Sequence, residues 1–269
     1  MYIHGIGIIS SVGRGLDAFC GALTSGPLPM TGDGFHRVSE KDLKDPILAK
    51  EARRADRFDR MAILAGLDAL RDARIRSDVH PSIVGLILAT GLGPHVTTFR
   101  FLDDIINFKE RDVSPTLFSH SVHNAAVSYV SLLAGIRGPT LTVTRFSFAF
   151  HEALNLARCW LEQKRCEYVL IGAVDELGMV MEQIFASRPP ANIPLGEGSV
   201  FFVLSKRPSE RNYGTIAPIL NATDAVPSRD QLTFLTEALF GRQPCQSAFR
   251  CAAVGLLLSD SKTNIKKSL

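Results

Sequence analysis

Five short apolar runs, each followed or preceded by a stretch of helical spacing, constrain this chain more than any other feature. Tyr2 to Ser10, Ile83 to Thr90, Pro139 to Thr144, Tyr168 to Gly172 and Ser199 to Leu204 are rich in Val, Ile, Leu and Phe. Tyr2 to Ser10 and Ile83 to Thr90 read as strands buried on both faces, and the other three runs as further strands. Between them, Leu16 to Leu23, Ala52 to Ile75, residues 97–111, His123 to Gly135 and Ser147 to Gln163 place apolar residues at helical intervals. Strands alternating with helices at this spacing predict an α/β layered fold. Residues 25–50 mix Gly, Pro and charge and read as a surface excursion. Past Ser205 the pattern thins: Thr215 to Leu220 and Val254 to Leu258 are expected to be strands, Gln231 to Leu239 a helix, and Lys262 to Leu269 a basic tail.

Composition excludes several classes. With 46% apolar and 21% charged residues in 269, the chain can bury a core without disulfides or metals. Five Cys, with no C-x-x-C pair, favour neither a disulfide framework nor a zinc knuckle, and the expected compartment is the cytoplasm. Apolar runs stay far below the ~18 residues of a membrane span. A net charge of +3 is too small to imply nucleic acid as a bulk electrostatic partner.

Familiar catalytic signatures are missing: the sequence holds no G-x-S-x-G, no G-x-x-x-x-G-K-[ST] and no H-E-x-x-H. His120 and His123 form an H-x-x-H, but neighbouring positions supply no further Cys or carboxylate ligand, so no metal and no cofactor is expected. Gly91-Leu92-Gly93 follows a strand yet lacks the third glycine of a dinucleotide fingerprint, which reduces it to a tight turn. Asp103-Asp104 and Asp175-Glu176 read as structural. The run Arg53, Arg54, Arg57, Arg60, interleaved with Asp56 and Asp59, reads as a solvated helix face or as a docking surface for an acidic partner. Ser147 stands where the third strand runs into a helix, a position that favours both N-caps and activated nucleophiles. It is either a cap or pocket wall, or a nucleophile with His151 as base.

The set Gly5-Ile6-Gly7-Ile8-Ile9-Ser10 with Gly13, the helix Asp56 to Ala73, Gly91-Leu92-Gly93, Arg137-Gly138-Pro139, Gly172 to Glu176 and Leu195-Gly196-Glu197-Gly198 resembles the N-terminal half of a β-ketoacyl-acyl carrier protein synthase of the thiolase fold. The stretch Ser114 to Ser119 with Ser121 to Ala126 is similar to a short branch, the chain-length-factor subunits of aryl-polyene-type clusters. The resemblance implies a thiolase-like layered half-fold with a mixed five-stranded sheet over residues 1–205, followed by a shortened remnant of the second half over 206–269.

It also implies where function resides. In active synthases the nucleophilic cysteine lies nine positions after the glycine of the Gly-Pro pair, which here is Ser147, counted from Gly138. The histidine motifs of the family's second half, H-G-T-G-T and N-x-x-x-G-H, do not occur in these 269 residues. The expectation is a catalytically silent subunit that pairs with an active ketosynthase, or with itself, and meets acyl carrier protein. Phe146, Phe148 and Phe150 are expected to wall the chain tunnel. Pro115, Phe118, His123, Asn124, Thr140, Thr142 and Thr144 are expected at the pairing surface. Two other functions remain open: a Ser147-dependent acyltransferase or thioester hydrolase, and a carrier-protein docking scaffold using Arg53, Arg54, Arg57, Lys262, Lys266 and Lys267.

Overall fold

The computed structural model describes residues 1–25, 35–75, 83–108, 113–186, 194–208, 213–216, 236–237, 239–240 and 243–259. Its centre is a mixed sheet built on the expected runs: β1 (Tyr2–Ser10), β4 (Val84–Thr90), β5 (Thr140–Thr144), β6 (Tyr168–Asp175) and β8 (Gly198–Ser205). A sixth, two-residue strand, β2 (Gly13–Arg14), hairpins onto the end of β1, so the sheet has six strands rather than five. The order is β2-β1-β8-β6-β4-β5. β4 lies parallel to both β5 and β6, whereas β8 runs antiparallel to both β1 and β6.

Two apolar layers cover the faces. On one, Ile6, Ile8, Ile87, Ile171, Phe202 and Leu204 pack beneath α1 (Leu16–Ser25), α7 (Ala149–Glu162) and the final helix α9 (Gln246–Ser259). On the other, Leu86, Leu88, Leu170, Phe201 and Val203 meet α3 (Arg57–Asp72) and α6 (Ala125–Ala134). Successive residues of β8 thus serve opposite layers, as the strand period of two requires. Gly5 and Gly7 let α3 approach β1 closely: a Cβ at Gly7 would lie 2.0 Å from the carbonyl oxygen of Ala65.

Several expectations need correction. The 52–75 segment is not one helix: Asp56 accepts a hydrogen bond from Asp59 N and caps α3, which begins at Arg57. Inside the supposed excursion, Asp45 caps α2 (Pro46–Glu51) by accepting from Ile47 N, and β3 (Phe35–His36) pairs with β7 (Leu195–Gly196). Val254 to Leu258 belongs to α9 and is not a strand; a short apolar run does not by itself distinguish a buried strand from a buried helix. Thr215 bridges Tyr2, while residues 217–220, 231–235, 238 and 262–269 of the other expected elements lie outside the described residues. Among the described residues no helix is long and apolar enough to cross a membrane.

Candidate functional site at the open sheet edge

β5 ends the sheet. One side pairs with β4 from Leu86–Thr140 to Thr90–Thr144, and all five of its residues are exposed or half-buried, whereas every residue of β4 is buried. A groove of ≈ 430 Å³ runs beside it, lined by His123, Asn124, Val127, Ser128 and Ser131 together with Thr140, Leu141, Thr142 and Thr144. Five of the expected pairing residues therefore share one groove. The other two, Pro115 and Phe118, lie exposed on α5 (Pro115–His120), where Phe118 packs against Phe101 of α4 (His95–Phe108), ring centroids 5.5 Å apart.

The turn from β5 into α7 carries Ser147. The helix cap is Phe148 rather than Ser147, with φ 66° and no side-chain cap bond. A left-handed backbone is costly for a phenylalanine and marks a turn imposed by its surroundings. Ser147 is exposed, as are the rings of Phe146 (66%) and Phe148 (58%). Phe150 points the other way, fully buried against Phe202 at 5.7 Å. The His151 ring meets the edge of Phe148 at 5.6 Å.

Beneath this edge lie buried polar groups that hold the loops at the strand ends. Asp175, at the end of β6, accepts from Gly91 N (2.8 Å) and the Thr90 hydroxyl (3.2 Å) through Oδ1, and from Cys245 N (2.7 Å) through Oδ2. Full burial raises its pKa to about 6 despite those donors. Gly91 and Gly93 make the turn above it: a Cβ on Gly91 would fall 2.0 Å from Pro244 Cβ, and one on Gly93, where φ is 65°, would fall 2.3 Å from His123 Cδ2. Glu176 accepts from Val96 N, and its burial, with Asp56 and Glu197 nearby, pushes it well above the carboxylate range. Among the described residues no group of three or more His, Cys, Asp or Glu is placed to hold a metal ion.

The arginine-rich run divides. Arg53 and Arg54 are exposed, but Arg57 turns inward: its Nε lies 3.1 Å from Oε1 of Glu197, which is fully buried. Arg57 also donates to Glu40 and to the Val38 carbonyl, while Glu197 accepts from Val38 N and Leu177 N. Asp59, expected on a solvated face, is fully buried and bound to His120 Nδ1 at 2.9 Å.

Residues 38–188 match the family described as beta-ketoacyl synthase, N-terminal domain. The chain belongs to the beta-ketoacyl synthase family. It is 24% identical to 3-oxoacyl-[acyl-carrier-protein] synthase 2 of Vibrio harveyi over 169 residues, covering 58% of this chain and 41% of that protein. It is 23% identical to putative polyketide beta-ketoacyl synthase 1 of Streptomyces virginiae over 249 residues, covering 79% and 59%. This ketosynthase-family chain thus spans about two-fifths to three-fifths of those relatives' lengths. Solved structures share the fold. One is the ishigamide ketosynthase/chain length factor, with TM-score 0.67, 20% identity and coverage of 78% of this chain and 63% of that one. Another is a ketosynthase in complex with its chain length factor from Xenorhabdus doucetiae, with TM-score 0.57, 19% identity and coverage of 76% and 78%. A beta-ketoacyl synthase from Burkholderia phymatum covers 94% of this chain and 70% of its own at TM-score 0.65 and 16% identity.

Within this ketosynthase-family chain, sequence reasoning missed the Glu197 hub and the Asp59–His120 pair. Gly196-Glu197-Gly198 carried the first signal, a lone carboxylate between glycines at the start of a fully buried strand. Nothing local signalled the second, whose partners lie 61 residues apart.

Proposed function

We propose that this chain is a catalytically silent ketosynthase-like subunit of the chain-length-factor type, pairing through β5 with an active ketosynthase in fatty-acid or polyketide-like assembly. The aryl-polyene-type branch is the form favoured by Ser114 to Ala126. One observation carries the reading: an exposed edge strand lies directly beside a serine at the position where the family resemblance implies a nucleophilic cysteine. A serine hydroxyl is far less ionised than a thiol and needs a general base to attack a thioester. An edge strand offers unpaired N–H and C=O groups that a partner strand can complete. Phe146 and Phe148, exposed at the end of the same edge, supply apolar surface where a growing chain would pass. Residues 1–205 form the ketosynthase-like unit in this reading.

The test is reconstitution. The purified chain alone is expected to condense no acyl and malonyl carrier protein, and to form a stable 1:1 complex with its cognate ketosynthase by size-exclusion chromatography with light scattering. Condensation by this chain alone refutes the proposal. A second reading, carrier-protein docking, is favoured by the exposure of Arg53 and Arg54; Arg57, engaged with Glu197, does not serve it. It predicts salt-sensitive carrier binding that is lost in the Arg53→Ala/Arg54→Ala double variant and unaffected by changes at Phe146.

A further inference from the structure

Helix α5 is held to the body in an unusual way. His120 is its buried residue, while Pro115, Thr116, Phe118 and Ser119 are exposed. Leu117 is half-buried and Phe118 packs on Phe101 of α4, while the buried His120 meets a carboxylate: its Nδ1 lies 2.9 Å from Oδ2 of Asp59 on α3. The imidazole stacks on Tyr129 of α6, ring centroids 5.5 Å apart, and the Tyr129 hydroxyl lies 3.4 Å from Nε2. Asp59 Oδ1 accepts no hydrogen bond among the described residues, so imidazolium is the main compensation for its charge.

We propose that the Asp59–His120 pair is a proton-operated latch that fastens α5 to α3. Residues 115–124 include the pairing positions Pro115, Phe118, His123 and Asn124, so the latch sets the shape of that surface. This consequence rests on the function proposed above, whereas the latch itself does not.

The charges around the pair set its direction. Asp56 caps α3 three residues before Asp59, accepts from Thr97 of α4 and adds negative potential at the pair, whereas Glu176, after β6, is itself pushed well above the carboxylate range. Arg54 opposes Asp56 from outside, and Tyr129 faces the pair from α6. Burial raises Asp59 to about 6, and the Asp59 hydrogen bond raises His120 above its ordinary 6.5. Closing the contact raises His120, so the closed form holds the imidazole proton more tightly than the open one, while the same contact lowers Asp59 against the rise that burial causes; the latch therefore weakens as pH rises through the imidazole titration. Its His120 contribution is fully present below the ordinary imidazole value and is lost as pH rises through the raised one. Above that, a neutral imidazole faces a buried carboxylate beside Asp56.

Hydrogen exchange on the full-length chain alone tests this. Peptides covering residues 113–124, corrected for intrinsic exchange rates and referenced to α7, are expected to lose protection as pH rises above ordinary imidazole titration, by at most about tenfold per pH unit. Asp59→Asn keeps an acceptor for His120 Nδ1–H without a charge, and is expected to remove the pH step. A pH-independent wild type, or the same step in Asp59→Asn, overturns the latch. Should that variant not fold by circular dichroism, the His120 ring resonances of the wild type decide: a titration midpoint above 6.5 supports the latch, and one at or below 6.5 overturns it. A chain that shows the exchange step but never pairs with a ketosynthase refutes the function proposed above and leaves the latch standing.

Discussion

Replacing Arg57 by Ala leaves the Glu197 carboxylate, fully buried, with only the backbone donors Val38 N (2.9 Å) and Leu177 N (3.1 Å) among the described residues. Removing one partner of a buried ion pair costs roughly 3–5 kcal/mol, because the remaining charge keeps its desolvation penalty without its counter-charge. The Arg57 side chain is 26% exposed, so water entering the space it vacates can partly solvate Glu197. This places the expected loss at the lower end, about 3 kcal/mol. At a urea slope of about 3 kcal/mol/M for a chain of this size, the unfolding midpoint falls by about 1 M. Equilibrium urea unfolding followed by circular dichroism measures it. Arg53→Ala and Arg54→Ala, at exposed positions, are the controls and should each stay within about 0.5 kcal/mol of wild type. Arg57→Lys should fall between, because an ammonium keeps the charge but cannot reproduce the fork that reaches Glu197, Glu40 and the Val38 carbonyl together. An Arg57→Ala loss below about 1 kcal/mol, no larger than that of an ordinary substitution, would refute the hub.

Gly91→Ala should destabilise by about 1–3 kcal/mol, the cost of overpacking, because its Cβ would sit 2.0 Å from Pro244; an unchanged thermal midpoint would mean that residues 243–245 do not pack on this turn. Leu141→Asp, on the open edge strand and 40% exposed, should leave the monomer's stability within about 0.5 kcal/mol yet abolish the 1:1 complex in light scattering; an intact complex would place pairing elsewhere. Ser147→Ala should change neither the thermal midpoint nor thioester turnover by the reconstituted pair; an acyl adduct on Ser147 detected by mass spectrometry in the wild type would reinstate the nucleophile reading. Asp175, raised to about 6 by burial, binds protons more readily in the folded state than in the unfolded one. Its contribution to stability is therefore present below the ordinary value of 3.8 and is lost as pH rises through about 6; Asp175→Asn should remove that component from a stability–pH profile.

The central strands were legible because each is a contiguous apolar run, and burial on both faces leaves no alternation to misread. α7 was legible from the spacing of Leu154, Ala157 and Leu161, all of which lie in the core. The 254–258 run shows where this reading fails. Val254, Gly255 and Leu256 are apolar enough for either element, and the preceding Gln246 to Ala253, which continues the helix, was the deciding context. At the candidate site, the rings of Phe146 and Phe148 are exposed, whereas Phe150, on the first turn of α7, is buried against Phe202.

By itself, then, the sequence determined the five main strands and most of the helices between them, and hence an α/β fold, since hydrophobic periodicity and turn chemistry act within a few residues. It also determined that a serine, with its neutral hydroxyl, stands nine positions after Gly138. Tertiary structure decided that β5 is the open edge while β4 is enclosed between β5 and β6, although the Thr-rich TLTVT of β5 beside the VGLILAT of β4 already differed in polarity. It alone sent Arg57 inward to Glu197, 140 residues away, and Asp59 to His120, while Arg53 and Arg54 stayed in water. The physical reason is common to all of these: the energy of a charge or a strand edge depends on what desolvates it and what pairs with it, and both come from distant parts of the chain.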